Sequence, residues 1–362
     1  MSLPPSEVPQ GAIRFNTDSQ RLEFYAQGEW WIMSTDTPNL ATAGDPTPGA
    51  RGLFTGGYGS GASSPKVTNK INYVNIASTG NAQDFGDMTA GIAAGGGVAS
   101  RTRGLFAGGY VSGTPGARGT IDQITIASLG DAVVFGQLQN GGNTRRAAAG
   151  NATRGLFVGG GTPTSTNDMI YVTIATQGDS IVFGDLTVAR SRFSGAGSAT
   201  RSVFAGGFGG PSPTNTWYNV IDFVNIATLG DAQDFGDLTQ KKTWTSAASN
   251  ATRMIIGGGD VGPGSGASAV SETEYLTIAS GGNAMIFGDL NAVVDTGTYA
   301  NSGVASPTRG VFNTGIMKNP SATYHNAIYY VQIATRGKAA DFGDLSEPNY
   351  GCKSCSNGHG GL

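Results

Sequence analysis

Histidine and cysteine are nearly missing from this chain, with two of each among 362 residues. Two cysteines cannot build a disulfide framework. Two histidines, both close to variable or terminal segments, supply no Ser-His-Asp or Cys-His catalytic arrangement. Charged residues make up only 13%, the net charge is −3 and no basic run occurs, so the electrostatic means of holding nucleic acid is lacking. No apolar stretch approaches the roughly 18 to 20 residues of a membrane-spanning helix. The opening Met1-Ser-Leu-Pro-Pro-Ser-Glu7 has neither the basic nor the apolar region of a signal peptide. A 3.6-residue apolar period is missing as well, which predicts almost no helix. These absences point away from an enzyme, a cofactor, a bound metal, nucleic-acid binding and membrane insertion.

Glycine, in contrast, is abundant at 59 residues. Without a G-X-Y period that could indicate disorder, but here it recurs at fixed places inside apolar, β-branched segments, as tight turns and close backbone approach require. The unit is Arg154-Gly-Leu-Phe-Val-Gly-Gly160, then Ile170-Tyr-Val-Thr-Ile-Ala-Thr176, then Asp179-Ser-Ile-Val-Phe-Gly-Asp-Leu186. Its first residue recurs as Arg51, Arg103, Arg154, Arg201, Arg253 and Arg309, and its closing aromatic as Phe85, Phe135, Phe183, Phe235, Phe287 and Phe342. The arginine intervals, by subtraction, are 52, 51, 47, 52 and 56 residues. A period near fifty marks a repeat architecture, and closed repeat folds of this length are often one domain.

Each unit divides into four short strands. The first is made of small residues, as in Arg146-Ala-Ala-Ala-Gly-Asn151. The second is Gly-Leu-Phe-x-Gly-Gly, the third Ile-x-x-Val-x-Ile-Ala, and the fourth carries Phe-Gly-Asp-Leu. Four antiparallel strands per roughly fifty residues is the pattern of a β-propeller blade, with the small strand innermost, where blades converge.

The Leu-Phe-x-Gly-Gly strand followed by a strand pair ending in an aromatic resembles the kelch repeat, with Phe in place of the usual Trp. The longer motif Ile-x-x-Val-x-Ile-Ala-[Ser/Thr]-x-Gly-[Asn/Asp]-Ala-x-x-Phe-Gly-Asp-Leu is similar to repeats in structural proteins of tailed, marine-type bacteriophages. Ser356-Asn-Gly-His-Gly-Gly-Leu362 resembles the ending of such proteins. Gly11-Ala-Ile-Arg-Phe-Asn-Thr-Asp18, with Leu22-Glu-Phe-Tyr25 and Glu29-Trp30, resembles a segment of phage fibre and appendage proteins. The resemblance implies a virion structural protein, in a tail fibre or other appendage on the particle surface. Its implied partners are other virion proteins, a host surface glycan or receptor, and further copies of itself. The alternatives are a capsid decoration protein and a non-viral, secreted, lectin-like propeller.

Six complete units fit between residues 38 and 345. The remaining head, 1–37, and tail, 346–362, together match the length of one more blade. The expected fold is therefore all-β: a seven-bladed kelch-like propeller closed by N- and C-terminal strands in one composite blade. That closure would remove an open sheet edge. The alternative is six blades plus an N-terminal hairpin that attaches the protein elsewhere.

Three motifs invite chemistry and yield little. Asp84-Phe-Gly86, Asp234-Phe-Gly236 and Asp341-Phe-Gly343 spell the kinase magnesium-binding tripeptide, but no phosphate loop or catalytic loop accompanies them. Cys352-Lys-Ser-Cys355 with His359 looks like half a zinc site, yet no fourth ligand exists beyond His325. The six repeated arginines read as forks donating to carbonyls of the neighbouring blade. What varies between units is the loop after the Gly-Gly pair and the connection between blades, including Arg145-Arg146 and Arg190-Ser-Arg-Phe193. Both belong to one face, which carries Tyr58, Tyr110, Phe208, Trp217, Tyr218, Trp244 and Tyr324. Loops on a rigid scaffold and exposed aromatics are where binding is expected, so these seven are the candidate binding residues.

Overall fold

A computed structural model describes residues 8–16, 21–32, 50–59, 66–111, 117–161, 164–210, 216–262, 269–290, 297–318 and 322–362. The chain divides into two compact units, Met1–Pro48 and Gly49–Leu362. The expected boundary at 37/38 lies outside the described residues. Among the described residues all regular structure is β, apart from one 3-10 turn at Gln139–Gly141.

The first unit contains a three-stranded antiparallel sheet, Ile13–Asn16, Arg21–Ala26 and Glu29–Ile32. Its second turn is the two-residue Gln27-Gly28, both at positive φ (53° and 85°), the left-handed twist that a tight hairpin demands. One face is knitted by charge. Arg14 pairs with Glu23 at 2.8 Å and lies 4.1 Å over the Trp30 ring, and Asn16 donates to the same carboxylate. The Asn16 and Arg14 bonds hold Glu23 below the usual carboxylate range. The other face carries Ile13, Phe15, Phe24 and Trp31, all exposed.

The second unit contains six four-stranded antiparallel sheets among its described residues. In the second sheet the strands are Gly96–Ala99, Arg103–Ala107, Thr120–Thr125 and Val133–Gln137. In the third they are Ala147–Gly150, Arg154–Val158, Asp168–Thr173 and Ile181–Asp185. The fourth, fifth and sixth sheets repeat this order, beginning at Ser194, Ser246 and Gly303. The first sheet is different. Its strands Arg51–Thr55, Lys70–Asn75 and Gln83–Asp87 are completed by Lys353–Ser356, paired Lys353 to Thr55 and Ser356 to Gly52.

This pairing corrects the composite seventh sheet expected from the sequence. The C-terminal strand joins the first repeat, and the three N-terminal strands form a sheet of their own. The physical reason is that each party is already satisfied. The Arg51–Thr55 strand needs an inner neighbour, and the hairpin unit completes its own ladder.

The repeated motif residues earn their places at the junctions between sheets. In each Phe-Gly-Asp strand, and in the Phe-Gly-Gln strand of the second sheet, the register slips by one residue, so the Phe becomes the extra residue of a bulge, as Phe135 does between the pairs Asp122–Val134 and Ile121–Gly136. The Phe side chains are buried, and the following glycine lies under the next sheet's turn. A Cβ on Gly136 would stand 2.1 Å from the Gly178 carbonyl oxygen, and one on Gly343 2.5 Å from that of Gly80. The Asp/Asn of that turn accepts from the backbone beyond the glycine, as Asp179 Oδ1 does from Gln137 N–H at 2.8 Å. Asp131, Asp231, Asn283 and Asn81 repeat the bond in other sheets. The kinase-like tripeptides are thus parts of the sheet junctions.

The repeated arginines reach the neighbouring sheet, as expected. Arg103 donates to the carbonyls of Ile174 and Ala175, Arg154 to Ile226 and Ala227, and Arg309 to Ile76 and Ala77. Each guanidinium also lies over an aromatic ring of its own sheet, for example Arg154 at 5.0 Å from the Tyr171 centroid. Apolar clusters span successive sheets: one joins Leu105 and Phe135 to Phe157 and Ile170, another joins Phe54 and Val74 to Val311 and Phe342. The small inner strands lie side by side, the sixth against the first as well. A Cβ on Gly97 would meet the Ser354 oxygen at 2.4 Å, and one on Gly303 the Ala247 oxygen at 2.5 Å. Small residues are required there because the backbones converge.

Candidate functional site

The chain leading into each inner strand turns through one residue in the left-handed region: Ala94, Arg145, Arg192, Trp244, Ala300 and Gly351, with φ between 55° and 65°. These six are linked by backbone hydrogen bonds. Arg145 N–H donates to the Ala94 carbonyl at 2.5 Å, Arg192 to Arg145 at 3.1 Å, and Trp244 to Arg192 at 2.6 Å. Ala300 donates to Trp244 at 3.1 Å, Gly351 to Ala300 at 2.9 Å and Ala94 to Gly351 at 2.8 Å. The series returns to its starting residue. Left-handed backbone costs a non-glycine residue about 1–2 kcal/mol, so the bonds and the packing must hold five of these turns in place.

The described residues that flank the loop after each Gly-Gly pair (Thr314-Gly315 in the sixth sheet) pair with one another beside this collar. Tyr58 pairs with Tyr350 and Val67, Tyr110 with Ala93 and Ala117, Phe208 with Ser191 and Trp217, and Ile316 with Tyr299 and Tyr324. The variable loops and the connections therefore do share one side of the sheets.

Six of the seven candidate aromatics fall into two groups. Tyr110, Tyr58, Tyr350 and Tyr324 form a continuous run, with centroid separations of 6.1, 4.8 and 4.9 Å. Phe208 meets Trp217 edge to face at 5.2 Å. Arg192 lies 4.6 Å over Phe208 and 5.1 Å over Trp244, and Arg145 lies 5.7 Å over Trp244. Tyr218 makes none of these ring contacts and lies against Gly209 instead. Burial raises the Tyr58 and Tyr350 hydroxyls above the ordinary tyrosine value, and both groups stay neutral through the physiological range.

Inside the collar the inner strands line a channel of about 150 Å³ that runs from Gly95 to His359. Beneath the hairpins the sheets carry the buried ion pairs Arg190–Asp222 (2.9 Å) and Lys242–Glu274 (2.6 Å), and the partly buried pair Arg118–Asp122 (2.8 Å). Among the described residues Lys353 has no such partner. Its Nζ donates to the Gly108 carbonyl at 2.8 Å, and burial brings its ammonium down to about 7. Cys352 and Cys355 are free and buried. Desolvation pushes the Cys352 thiol up to about 12 and raises Cys355 too, so neither is poised as a thiolate.

The far end of the channel is capped by the last six residues. Asn357 accepts from Arg51 N–H and donates to the Arg101 carbonyl. Gly360 N–H donates to Ser249, and the Gly361 carbonyl accepts from Ala152. His359 contacts the Ala99 carbonyl through Nε2 at 2.8 Å, and its Nδ1 accepts from Gly361 N–H. These partners fit only the neutral ring, protonated at Nε2. Burial and, secondarily, Arg101 depress its pKa below the ordinary 6.5. The unfolded chain then takes up the proton first, so this contribution is present above pH 6.5 and is lost as the pH falls through and below it. Denaturant titrations from pH 7.5 to 5 should give a stability that declines on acidification, at most about 1.4 kcal/mol per pH unit from this group. His359→Ala should have a flatter slope, and equal slopes would remove the cap histidine as the cause.

Sequence reasoning located the aromatic hairpins and Trp244 but missed Tyr350, Tyr299 and the rest of the collar. A signal existed: Ala94, Arg145, Arg192, Trp244 and Ala300 each stand nine residues before a repeated arginine (154 − 145, for example). No protein-family model matches the chain, and none of the curated proteins matches it significantly.

Proposed function

We propose that residues 50–362 form a closed six-bladed, kelch-like β-propeller acting as a binding scaffold rather than an enzyme. In this reading it is a structural component of a tailed-phage particle, in a fibre or other appendage, with its hairpin-bearing face turned to a host surface glycan or receptor. The observation that carries the binding role is the collar of six bonded left-handed residues. It holds chemically different side chains in equivalent, rigid positions, beside hairpins that differ from sheet to sheet. The return of that bond series to its start, and the Arg309 bond to the first sheet, support closure with six blades. The exposed apolar face of the N-terminal sheet supports an attachment role towards neighbouring virion proteins. The virion assignment rests on the resemblance of the repeat and of the Gly11–Asp18 segment.

Mass spectrometry of purified virions should find this chain in particles, and its absence there ends the virion assignment. On a host-glycan array, Tyr58→Ala with Tyr110→Ala should weaken binding about tenfold, as expected for losing two stacking rings. An unchanged signal would move the binding surface off this face.

A further inference from the structure

The collar is chemically lopsided. Gly351, Ala94 and Ala300 occupy three consecutive positions and leave that half of the mouth open, while Arg145, Arg192 and Trp244 fill the other three. A glycine would fit every one of these turns without the left-handed cost that an arginine or tryptophan carries. Strained backbone that carries large functional side chains is a pointer to use.

The two guanidiniums are neighbours on the collar, and among the described residues neither lies within ion-pair distance of a carboxylate. Two buried cations beneath this face, Arg190 and Lys242, are matched by buried acids, and the partly buried Arg118 by buried Asp122. Arg145 and Arg192 instead rest on aromatic faces. Stacking of this kind leaves the in-plane N–H edges of a guanidinium available to a ligand. Arg192 Nε is buried with no hydrogen-bond partner. Burial and then Arg145 bring the Arg192 pKa down to about 10, against the attraction of Asp260. The site would gain from a negative charge. Arg145, Arg192, Trp244 and Gly351 line a cavity of about 70 Å³ at the mouth, and on its open side Arg145 is close enough to Tyr58 to act on its hydroxyl.

We propose that this mouth binds an acidic saccharide, its carboxylate held by the Arg145 and Arg192 forks and its sugar ring laid against the exposed Tyr110 beside Tyr58. A planar carboxylate matches a guanidinium fork in two parallel bonds. The flat tyrosine run next to it suits the apolar face of a sugar ring better than a flexible acidic peptide. The inference rests on the hairpin-bearing face being the binding face, and it adds the class of ligand.

The test uses calorimetric titration of the full chain with hexagalacturonate and sialyllactose. Lactose serves as the neutral probe, a sulfated disaccharide as the non-carboxylate anion, and a hexaglutamate peptide as the acidic non-sugar. The two carboxylated sugars should bind at least about tenfold more tightly than lactose, with affinity falling as salt rises. Arg145→Gln with Arg192→Gln should erase that difference while leaving the melting temperature near that of the parent. The proposal is overturned if neither carboxylated sugar binds or if the double variant binds them as the parent does. It is equally overturned if the sulfated sugar or the peptide competes on equal terms. Host-cell binding separates the two levels. If it survives the arginine substitutions but is lost with Tyr58→Ala and Tyr110→Ala, the ligand class alone is wrong. If it survives both pairs, the choice of face is wrong too.

Discussion

A chain ending at Cys352 should fail to reach the native state. Removing 353–362 takes away the four-residue ladder onto Arg51–Thr55 and the Ser354 and Ser356 hydroxyl bonds to the carbonyls of Gly303 and Ala305 (2.8 and 2.7 Å). The cap at the far end of the channel goes with it. Each lost hydrogen bond is worth about 1 kcal/mol net. Leu53, 0% exposed, and Phe106, also 0% exposed, share an apolar cluster with Cys355, and uncovering such side chains costs about 2 kcal/mol each. Together these losses match the roughly 5–15 kcal/mol by which a typical domain is stable. Circular dichroism on heating should therefore show a broad, early transition, with dye binding at 25 °C. Adding a synthetic peptide of residues 353–362 should restore the parent transition. A truncated chain that melts as the parent does would refute the role assigned to this strand.

The second large effect concerns the pair Arg190–Asp222, in which both side chains are 0% exposed. Asp222 also accepts from Thr187 Oγ1 at 2.7 Å, and Arg190 donates to the Phe204 carbonyl at 3.2 Å. Arg190→Met strands a buried carboxylate and should cost about 3–5 kcal/mol. Arg190→Met combined with Asp222→Leu removes both charges and should regain most of that loss, because a buried pair replaced by apolar residues is often near neutral. Urea titrations of parent, both single variants and the double complete the cycle. A single variant that loses less than about 1 kcal/mol would mean that water or another group already satisfies the aspartate.

The sequence made the repeat unit legible because its residues answer to local and nearest-neighbour demands. The Phe-Gly-Asp glycines are forced by the next sheet's turn, the arginines by carbonyls of the next sheet, and the small inner strands by converging backbones. The way the unit is completed was harder to read. Past its lysine, Lys353–Ser356 carries no signature beyond the small size of Ser354, Cys355 and Ser356, and any such strand fits any Gly-Leu-Phe strand. Head and tail lengths happen to sum to one more repeat. Nothing local announces that the Gln27-Gly28 hairpin, with Arg14, Glu23 and Trp30, satisfies itself.

The candidate site was legible by half for a related reason. Tyr58, Tyr110 and Phe208 follow the conspicuous Gly-Gly pairs, so the eye is led to them. Trp244 was found as an aromatic on a variable connection, but Arg145 and Arg192 occupy left-handed turns without glycine, where the usual marker of such backbone is missing. Tyr350 lies in the C-terminal tail, outside the repeated motif. Its stacking on Tyr58 and Tyr324 depends on pairing across most of the chain's length.

Arg51 binds Asn357 across 306 positions, and the order of biosynthesis follows from that span. While the ribosome is still producing the middle sheets, Arg51–Thr55 presents an edge that stays unfilled until the Lys353–Ser356 strand is made. In a crowded polysome a neighbour's strand can arrive first, linking two molecules by exchange of identical segments. Yield on refolding should therefore depend steeply on dilution, with exchanged dimers as the by-product.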